Sequence, residues 1–450
     1  MAVKYQIGDD LEITTSENTY AGTVMPSTTK DALFLRLSSG YQVGIKTKQI
    51  KNVKIISSVK KENINTKENS KKEDKPELKL DSKLPVISIL HTGGTIASKV
   101  DYKTGAVIAR FSPEELVAMF PELGKIANIK SRLVRNMWSQ DMRFAHYNIL
   151  AKEVKKEIDS GVDGIIITHG TDTLHYSSAA LSFVLHNLPI PVLLVGSQRS
   201  SDRGSSDASL NLVNAVYFAA AADFGGVAIC MHNSSSDDYA AILPAAKTRK
   251  MHTSRRDAFK AINASPYSLV DYSKKEINFL TKNYPKKDKT RKIELQFFDE
   301  KIKVGMLYQH TNMFAEQYKF YEKYDGVVIL GTGLGNLPTS VIDEHTNEHA
   351  RILKAIKVLV KKNVVVAIAP ETINGRIMLT VYENQRSLLD IGVLGNESDM
   401  IPETAFIKLA WLLSNYKQED VCRLYGQNLR GEISERITSD MFDGAINLNT

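Results

Sequence analysis

Cysteine is scarce: Cys230 and Cys422 are the two in 450 residues. So few thiols cannot build the disulfide framework of a small secreted scaffold, and both are expected as buried free thiols of a cytosolic chain. No run of about 18 apolar residues occurs, so no membrane-spanning helix is expected. The opening Met1-Ala-Val-Lys-Tyr-Gln-Ile-Gly-Asp-Asp10 lacks the apolar core of a secretory signal, which points to a cytoplasmic location. Neither charge dominates. The 58 Lys and Arg against 51 Asp and Glu leave a formal net charge of +7, which permits a polyanionic partner without demanding one. An apolar content of 43% with 24% charged residues is that of an ordinary globular protein. No internal repeat is present beyond a generic strand–helix alternation.

What is there divides into five stretches. Residues 1–57 hold four or five short alternating or β-branched runs separated by Ser, Asn, Pro and Gly, the pattern of a small β-barrel accessory module. Residues 58–84 are charged, mixed in sign and poor in large apolar side chains, so they are expected as a disordered linker. From residue 85 to 263 strands alternate with helices expected over 112–120, 148–158, 177–188 and 209–222. That order predicts a doubly wound parallel sheet. Residues 264–302 read as a lysine- and tyrosine-rich connector. Residues 303–450 form a smaller α/β unit, with strands at 304–308, 326–330 and 364–368, a helix at 347–361 and a helical tail.

The chain is organised around Val86-Ile-Ser-Ile-Leu-His91, a buried parallel strand by its composition, which runs into Thr92-Gly-Gly-Thr95. Glycines there allow positive φ and close backbone approach, and two threonines offer hydroxyls at the strand's carboxyl end, where open α/β sheets bind ligands. A second strand, Gly164–Thr168, runs into His169-Gly-Thr-Asp-Thr173, which repeats the design and adds a carboxylate. A threonine hydroxyl is a weak nucleophile until a neighbour takes its proton, and an amine or a carboxylate can do so.

These two loops, with Ser139-Gln-Asp-Met142 and Val195-Gly-Ser-Gln-Arg199, closely resemble the signatures of the bacterial-type L-asparaginase/glutaminase family over residues 85 to 435. The resemblance implies a two-domain α/β fold and amide hydrolysis through a threonine nucleophile, Thr95, assisted by Thr171, Asp172 and a lysine. Lys250-Met-His-Thr-Ser-Arg-Arg-Asp-Ala-Phe259 reproduces the family's spacing for that lysine, so it falls on Lys250, with Lys247 as the second candidate. The resemblance also implies substrate binding by Ser139 and Gln140, a lid tyrosine at Tyr102, and an approach of Asn336 toward a neighbouring subunit's site.

The N-terminal module and Val100-Asp-Tyr-Lys-Thr-Gly-Ala-Val107 narrow the resemblance to the D subunits of archaeal-type glutamyl-tRNA(Gln) amidotransferases. That implies glutamine as the ammonia donor, no cofactor on this subunit, and an E subunit carrying ATP, Mg and most of the contact with tRNA(Gln). It also implies a homodimer of this chain within a heterotetramer. A free-standing cytoplasmic L-asparaginase with an accessory domain is the alternative, and a silent RNA-binding scaffold is a third reading that the intact Thr95, Thr171, Asp172 and Lys250 disfavour. Gly331-Thr-Gly-Leu-Gly-Asn336 lacks the spacing of a dinucleotide loop. His345 and His349 have no third metal ligand in view.

Overall fold

The computed structural model describes residues 5–6, 8–16, 18–25, 31–37, 42–57, 81–94, 98–100, 107–109, 116–117, 119–199 and 206–442. The linker expected up to residue 84 therefore lies outside them as far as Leu80.

The N-terminal module is a five-stranded antiparallel sheet. Its spatial order is Gln42–Lys46, Ala32–Leu37, Thr19–Met25, Asp10–Thr14, Asn52–Ser57. Leu11, Ile13, Val24, Leu33, Leu35 and Ile45 turn inward as a small core. Asp10 pairs with Ser57 and Leu11 with Ile55, so Ile56 is an extra, bulged residue on the edge strand Asn52–Ser57.

The larger unit is built on eight strands. In spatial order they are Glu276–Phe279, Ser268–Asp271, Ala240–Pro244, Val227–His232, Val192–Val195, Gly164–Thr168, Val86–His91 and Asn128–Leu133. The last five are parallel, with Ile165 opposite both Ser88 and Val192. Their sequence order across the sheet is 2-1-3-4-5, so the chain reverses direction between Val86–His91 and Gly164–Thr168. That is the topological switch point at which such sheets bind ligands.

The sheet is not parallel throughout. Ala240–Pro244 follows Val227–His232 after a seven-residue connection, too short for a crossover helix, and so pairs antiparallel. Ser268–Asp271 and Glu276–Phe279 add two more antiparallel strands from within the 264–302 stretch.

Strand residues alternate between two cores. Leu90, Ile165, Ile167, Val192 and Leu194 face the helices Phe144–Asp159 and Leu174–Val184. Ile87, Ile89, Ile166, Leu193 and Val195 face the helix Ala208–Ala221. Period-two alternation with both faces apolar is what a sheet covered on both sides requires. Of the helix expected over 112–120, Leu116, Val117 and Met119 are helical, and Phe111–Glu115 and Ala118 lie outside the described residues. The helix expected at 177–188 starts and ends earlier, because Leu185 and His186 leave it to pair with Leu295 and Glu294.

The C-terminal unit has three parallel strands, Val304–Tyr308, Gly326–Gly331 and Val365–Pro370, with the helix Asn347–Lys361 on one face. The helix Pro402–Asn415 covers the other face and packs on Leu174–Val184, so one apolar core runs through both α/β units. Asn148 reinforces the arrangement by exchanging two hydrogen bonds with the Phe298 backbone, at 2.9 and 3.0 Å. Cys230 is buried, as expected. Cys422 is a correction: it is exposed, because its helix Gln418–Tyr425 turns Val421 and Tyr425 inward and Cys422 out.

A buried ion pair fastens the two α/β units. Lys247 Nζ donates to Asp399 Oδ2 at 2.7 Å, and Asp399 Oδ1 accepts the Ser434 N–H at 2.9 Å. Asn263 Nδ2 reaches the Asp399 carbonyl at 3.0 Å, and the Thr404 hydroxyl donates to the Ala246 carbonyl at 2.8 Å. Burial pushes the Lys247 ammonium down from its usual range, and Asp399 opposes that shift. Removing one member of such a pair leaves the other charge buried alone. Asp399→Ala is expected to cost about 3–5 kcal/mol in urea unfolding, and the apolar pair Lys247→Met/Asp399→Leu clearly less. A loss below about 1 kcal/mol for Asp399→Ala would show the pair to be dispensable.

Candidate active site

The switch point brings the two threonine loops together. Thr92 continues the ladder past the strand end: its N–H and its hydroxyl both donate to the Thr168 carbonyl, at 3.1 and 2.9 Å. Gly94 has φ +83°, and a Cβ built there would lie 2.6 Å from the Gly170 nitrogen, so the loops touch backbone to backbone. A Cβ on Gly170 would in turn lie 2.9 Å from the Ser139 side chain. The Thr173 hydroxyl donates to the Ser139 carbonyl at 2.5 Å. Three sequence-distant segments thus meet where glycines permit it.

Thr171 and Asp172 stand on the second loop. Lys250 Nζ lies 2.9 Å from Thr171 Oγ1 and 2.7 Å from Asp172 Oδ1. The lysine side chain is mostly covered, at 10% exposure, whereas Asp172 is 69% exposed. The ten-residue stretch from Lys250 to Phe259 is a hairpin: Thr248–Lys250 pairs antiparallel with Phe259–Ala261, and Lys250 sits directly opposite Phe259. Lys247, the second candidate, has its ammonium engaged by Asp399.

Of the other expected residues, Ser139 is buried and Gln140 exposed on a short 3₁₀ turn. Asn336 closes its own loop through backbone bonds to Thr332, at 3.1 and 2.8 Å, and among the described residues no hydrogen bond joins it to the Thr171 cluster. Thr95 and Tyr102 lie outside the described residues.

Two participants carry no role in the sequence reading. Gln198 Oε1 lies 3.4 Å from Thr171 Oγ1, and its side-chain Nε2 is buried without a partner among the described residues. Asp207 is fully buried at the start of the helix Ala208–Ala221. Its carboxylate does not cap that helix. It accepts the Gln198 N–H at 3.0 and 2.9 Å and the Arg199 N–H at 3.0 Å, holding the loop that presents Gln198. An aspartate before a helix signals a cap, so sequence offered no pointer to this use.

Beneath the threonines lie two buried histidines. His169 Nδ1 faces the Gly170 carbonyl at 2.7 Å, which only accepts, so Nδ1 carries the hydrogen and Nε2 accepts from the Ser177 hydroxyl at 2.8 Å. His91 bridges the Thr168 and Ser131 hydroxyls, both at 2.9 Å. A cavity of about 890 Å³ lies elsewhere, lined by Leu188, Gly226, Arg291 and Arg430 at the amino ends of the parallel strands, away from this chemistry. Among the described residues no three His, Cys, Asp or Glu side chains are grouped to hold a metal ion.

Comparisons with known proteins agree with this layout. Residues 86–287 match the family model Asparaginase, N-terminal; residues 303–425 match the Glutaminase/Asparaginase C-terminal domain; and residues 5–56 match the GatD N-terminal domain. The chain is 41% identical over 439 residues to the D subunit of a glutamyl-tRNA(Gln) amidotransferase from Methanococcus maripaludis strain C7, covering 96% of this chain and 99% of that one. It is 39% identical to the Pyrococcus abyssi protein of the same name, covering 97% of each. Among solved structures, the thermostable L-asparaginase from Thermococcus kodakarensis superposes with a TM-score of 0.67 at 28% identity. That match covers 78% of this chain and all (100%) of that one.

Burial lowers both His91 and His169 from 6.5 to about 4, so both rings are neutral in the native protein at neutral pH. Unfolding restores the ordinary value. Between pH 6.5 and about 4 the unfolded chain therefore binds more protons than the native one, and stability falls as the pH drops through that window. The full contribution is present above it. Each ring accounts for on the order of 3 kcal/mol by the lower limit. His91→Gln is expected to flatten the slope of unfolding free energy against pH in this window by about one proton. An unchanged slope would assign the acid sensitivity to other groups.

Proposed function

The chain belongs to the family of glutamyl-tRNA(Gln) amidotransferase D subunits, and from that premise we propose that it is the glutamine-hydrolysing component of such an assembly. The observation that carries the reading is the contact of one lysine ammonium with both Thr171 and Asp172 at the switch point of the sheet.

In this proposal the hydroxyl oxygen of Thr95 attacks the side-chain carbonyl carbon of glutamine. The carbon–nitrogen bond breaks, ammonia leaves with the proton taken from the hydroxyl, and a glutamyl ester of Thr95 remains. Thr171 then orients a water: its oxygen attacks the ester carbonyl while its proton passes through the Thr171 hydroxyl to Lys250 in its neutral amine form. The carbon–oxygen bond breaks, so that glutamate leaves and the Thr95 oxygen takes the proton back. Asp172 holds Lys250 in reach of Thr171. Backbone N–H groups of the glycine loops stabilise the oxyanion of each tetrahedral intermediate. Ser139 and Gln140 bind the α-carboxylate and amine of the substrate, Tyr102 closes over the site, and Asn336 serves the site of a neighbouring copy.

The ammonia passes to an E subunit, which carries ATP and Mg, contacts tRNA(Gln), and amidates the glutamyl group of Glu-tRNA(Gln). This chain needs no cofactor of its own. It acts in the cytoplasm as a homodimer within a heterotetramer. Glutamine and asparagine differ by one methylene, which a pocket separates by only about 1–3 kcal/mol, so substrate choice has to be measured.

Ammonia release from each amino acid should be assayed with and without the E subunit and Glu-tRNA(Gln). Strong stimulation of glutamine hydrolysis by both, with a loss of about a hundredfold or more in Thr171→Ala, is the expected outcome. Full asparagine hydrolysis by the lone chain would instead establish an asparaginase with an accessory domain.

A further inference from the structure

Among the described residues, the two polar side chains that meet Thr171 are tied together by one circuit of hydrogen bonds and hairpin backbone. One arm starts at Gln198, whose N–H is gripped by Asp207. Asn211 Nδ2 donates to Asp207 Oδ2 at 3.3 Å and to the Gly196 carbonyl at 3.0 Å, which fixes the amide's orientation. Asn211 Oδ1 therefore accepts from His232 Nδ1, at 2.7 Å. His232 Nε2 lies 3.1 Å from Asp237 Oδ1.

The circuit then leaves the interior. Asp237 Oδ1 accepts Arg256 Nη1 at 2.7 Å, and Arg256 stands in the turn of the hairpin whose first strand ends in Lys250. A second tie joins the same two segments, Lys260 Nζ to the Asn233 carbonyl at 2.8 Å. Lys250 closes the circuit by returning to Thr171.

We propose that Asp237 and Arg256 are positioning residues for the hydrolytic reaction. Through His232, Asn211 and Asp207 on one side and the hairpin on the other, they fix Gln198 and Lys250 relative to each other, and so fix the direction of the Thr171 hydroxyl between them. The inference rests on the reading of Thr171 and Lys250 given under the proposed function. A hydroxyl has one hydrogen. With Lys250 donating to Thr171, that hydrogen points to Gln198 Oε1, and passing a proton to Lys250 in its neutral amine form requires it to turn. Small relative shifts of the two partners alter that turn, and misplacement by about 1 Å can cost a hundredfold in rate.

Asp237 is 65% exposed and Arg256 20%, so water solvates the carboxylate side of the pair, the pair adds little to stability, and activity and stability should separate. Full-length chains, assayed for glutamine-dependent ammonia release with the E subunit and charged tRNA, should show Asp237→Ala and Arg256→Ala lowering kcat about tenfold. KM should move by less than about twofold and the melting temperature by less than about 3 °C. The double variant should be no slower than either single one, because each breaks the same circuit. Wild-type kcat in both single variants, or losses that multiply in the double variant, would overturn the proposal. Thr171→Ala in the same assay separates the two readings: if it stays active, the assignment of Thr171 fails. If it is dead while Asp237→Ala is unaffected, only the circuit fails.

Discussion

The ammonium of Lys250 is the point on which the site depends. It sits 2.9 Å from the Thr171 hydroxyl and 2.7 Å from the Asp172 carboxylate, and it comes from a hairpin 79 residues along the chain from Thr171. The hairpin is anchored behind by the buried Lys247–Asp399 pair, across by the Phe259 strand, and at its turn by the Arg256–Asp237 pair. A buried ion pair adds little net stability, but it is costly to break. The Lys247–Asp399 pair therefore fixes where the hairpin lies against the C-terminal unit more than it strengthens the fold.

The sheet supplies the other half of the geometry. In a 2-1-3-4-5 order, the carboxyl ends of the first and third strands are neighbours with their connections leaving in opposite directions, so their loops flank an open crevice. Glycine is needed where those loops meet, because a side-chain carbon at Gly94 would collide with the Gly170 backbone. Polar groups beneath the crevice are satisfied in pairs by neutral histidines and hydroxyls, which keeps charge away from the floor while Asp172 and Lys250 keep it at the rim.

Much of the fold was legible because the two-sided burial of a doubly wound sheet leaves a strong mark. Gly164–Thr168, Val304–Tyr308 and the helix Asn347–Lys361 have the same limits in the sequence reading and in the structure. Less legible were elements whose partners are remote. The four-residue strands Ser268–Asp271 and Glu276–Phe279, joined by a turn of Tyr, Ser and Lys, read as a connector, because their strand state comes from pairing, the first with Ala240–Pro244 and the second with the first, rather than from their own pattern. Cys422 read as buried for a related reason: composition favours buried thiols, and helical phase, set by Val421 and Tyr425, put it outside.

By itself the sequence determined the strand–loop–helix units, the two hydroxyl loops, and the spacing that sets Lys250 opposite Phe259. Each of these follows from periodicity, glycine placement or motif spacing over short stretches of chain. Tertiary structure alone decided that Lys247 is engaged by Asp399, and that Asp207 grips the Gln198 loop instead of capping its own helix. Those outcomes depend on which groups arrive next to one another after packing. A lysine such as Lys247, or an aspartate before a helix, carries no local signal of the partner that burial will force upon it.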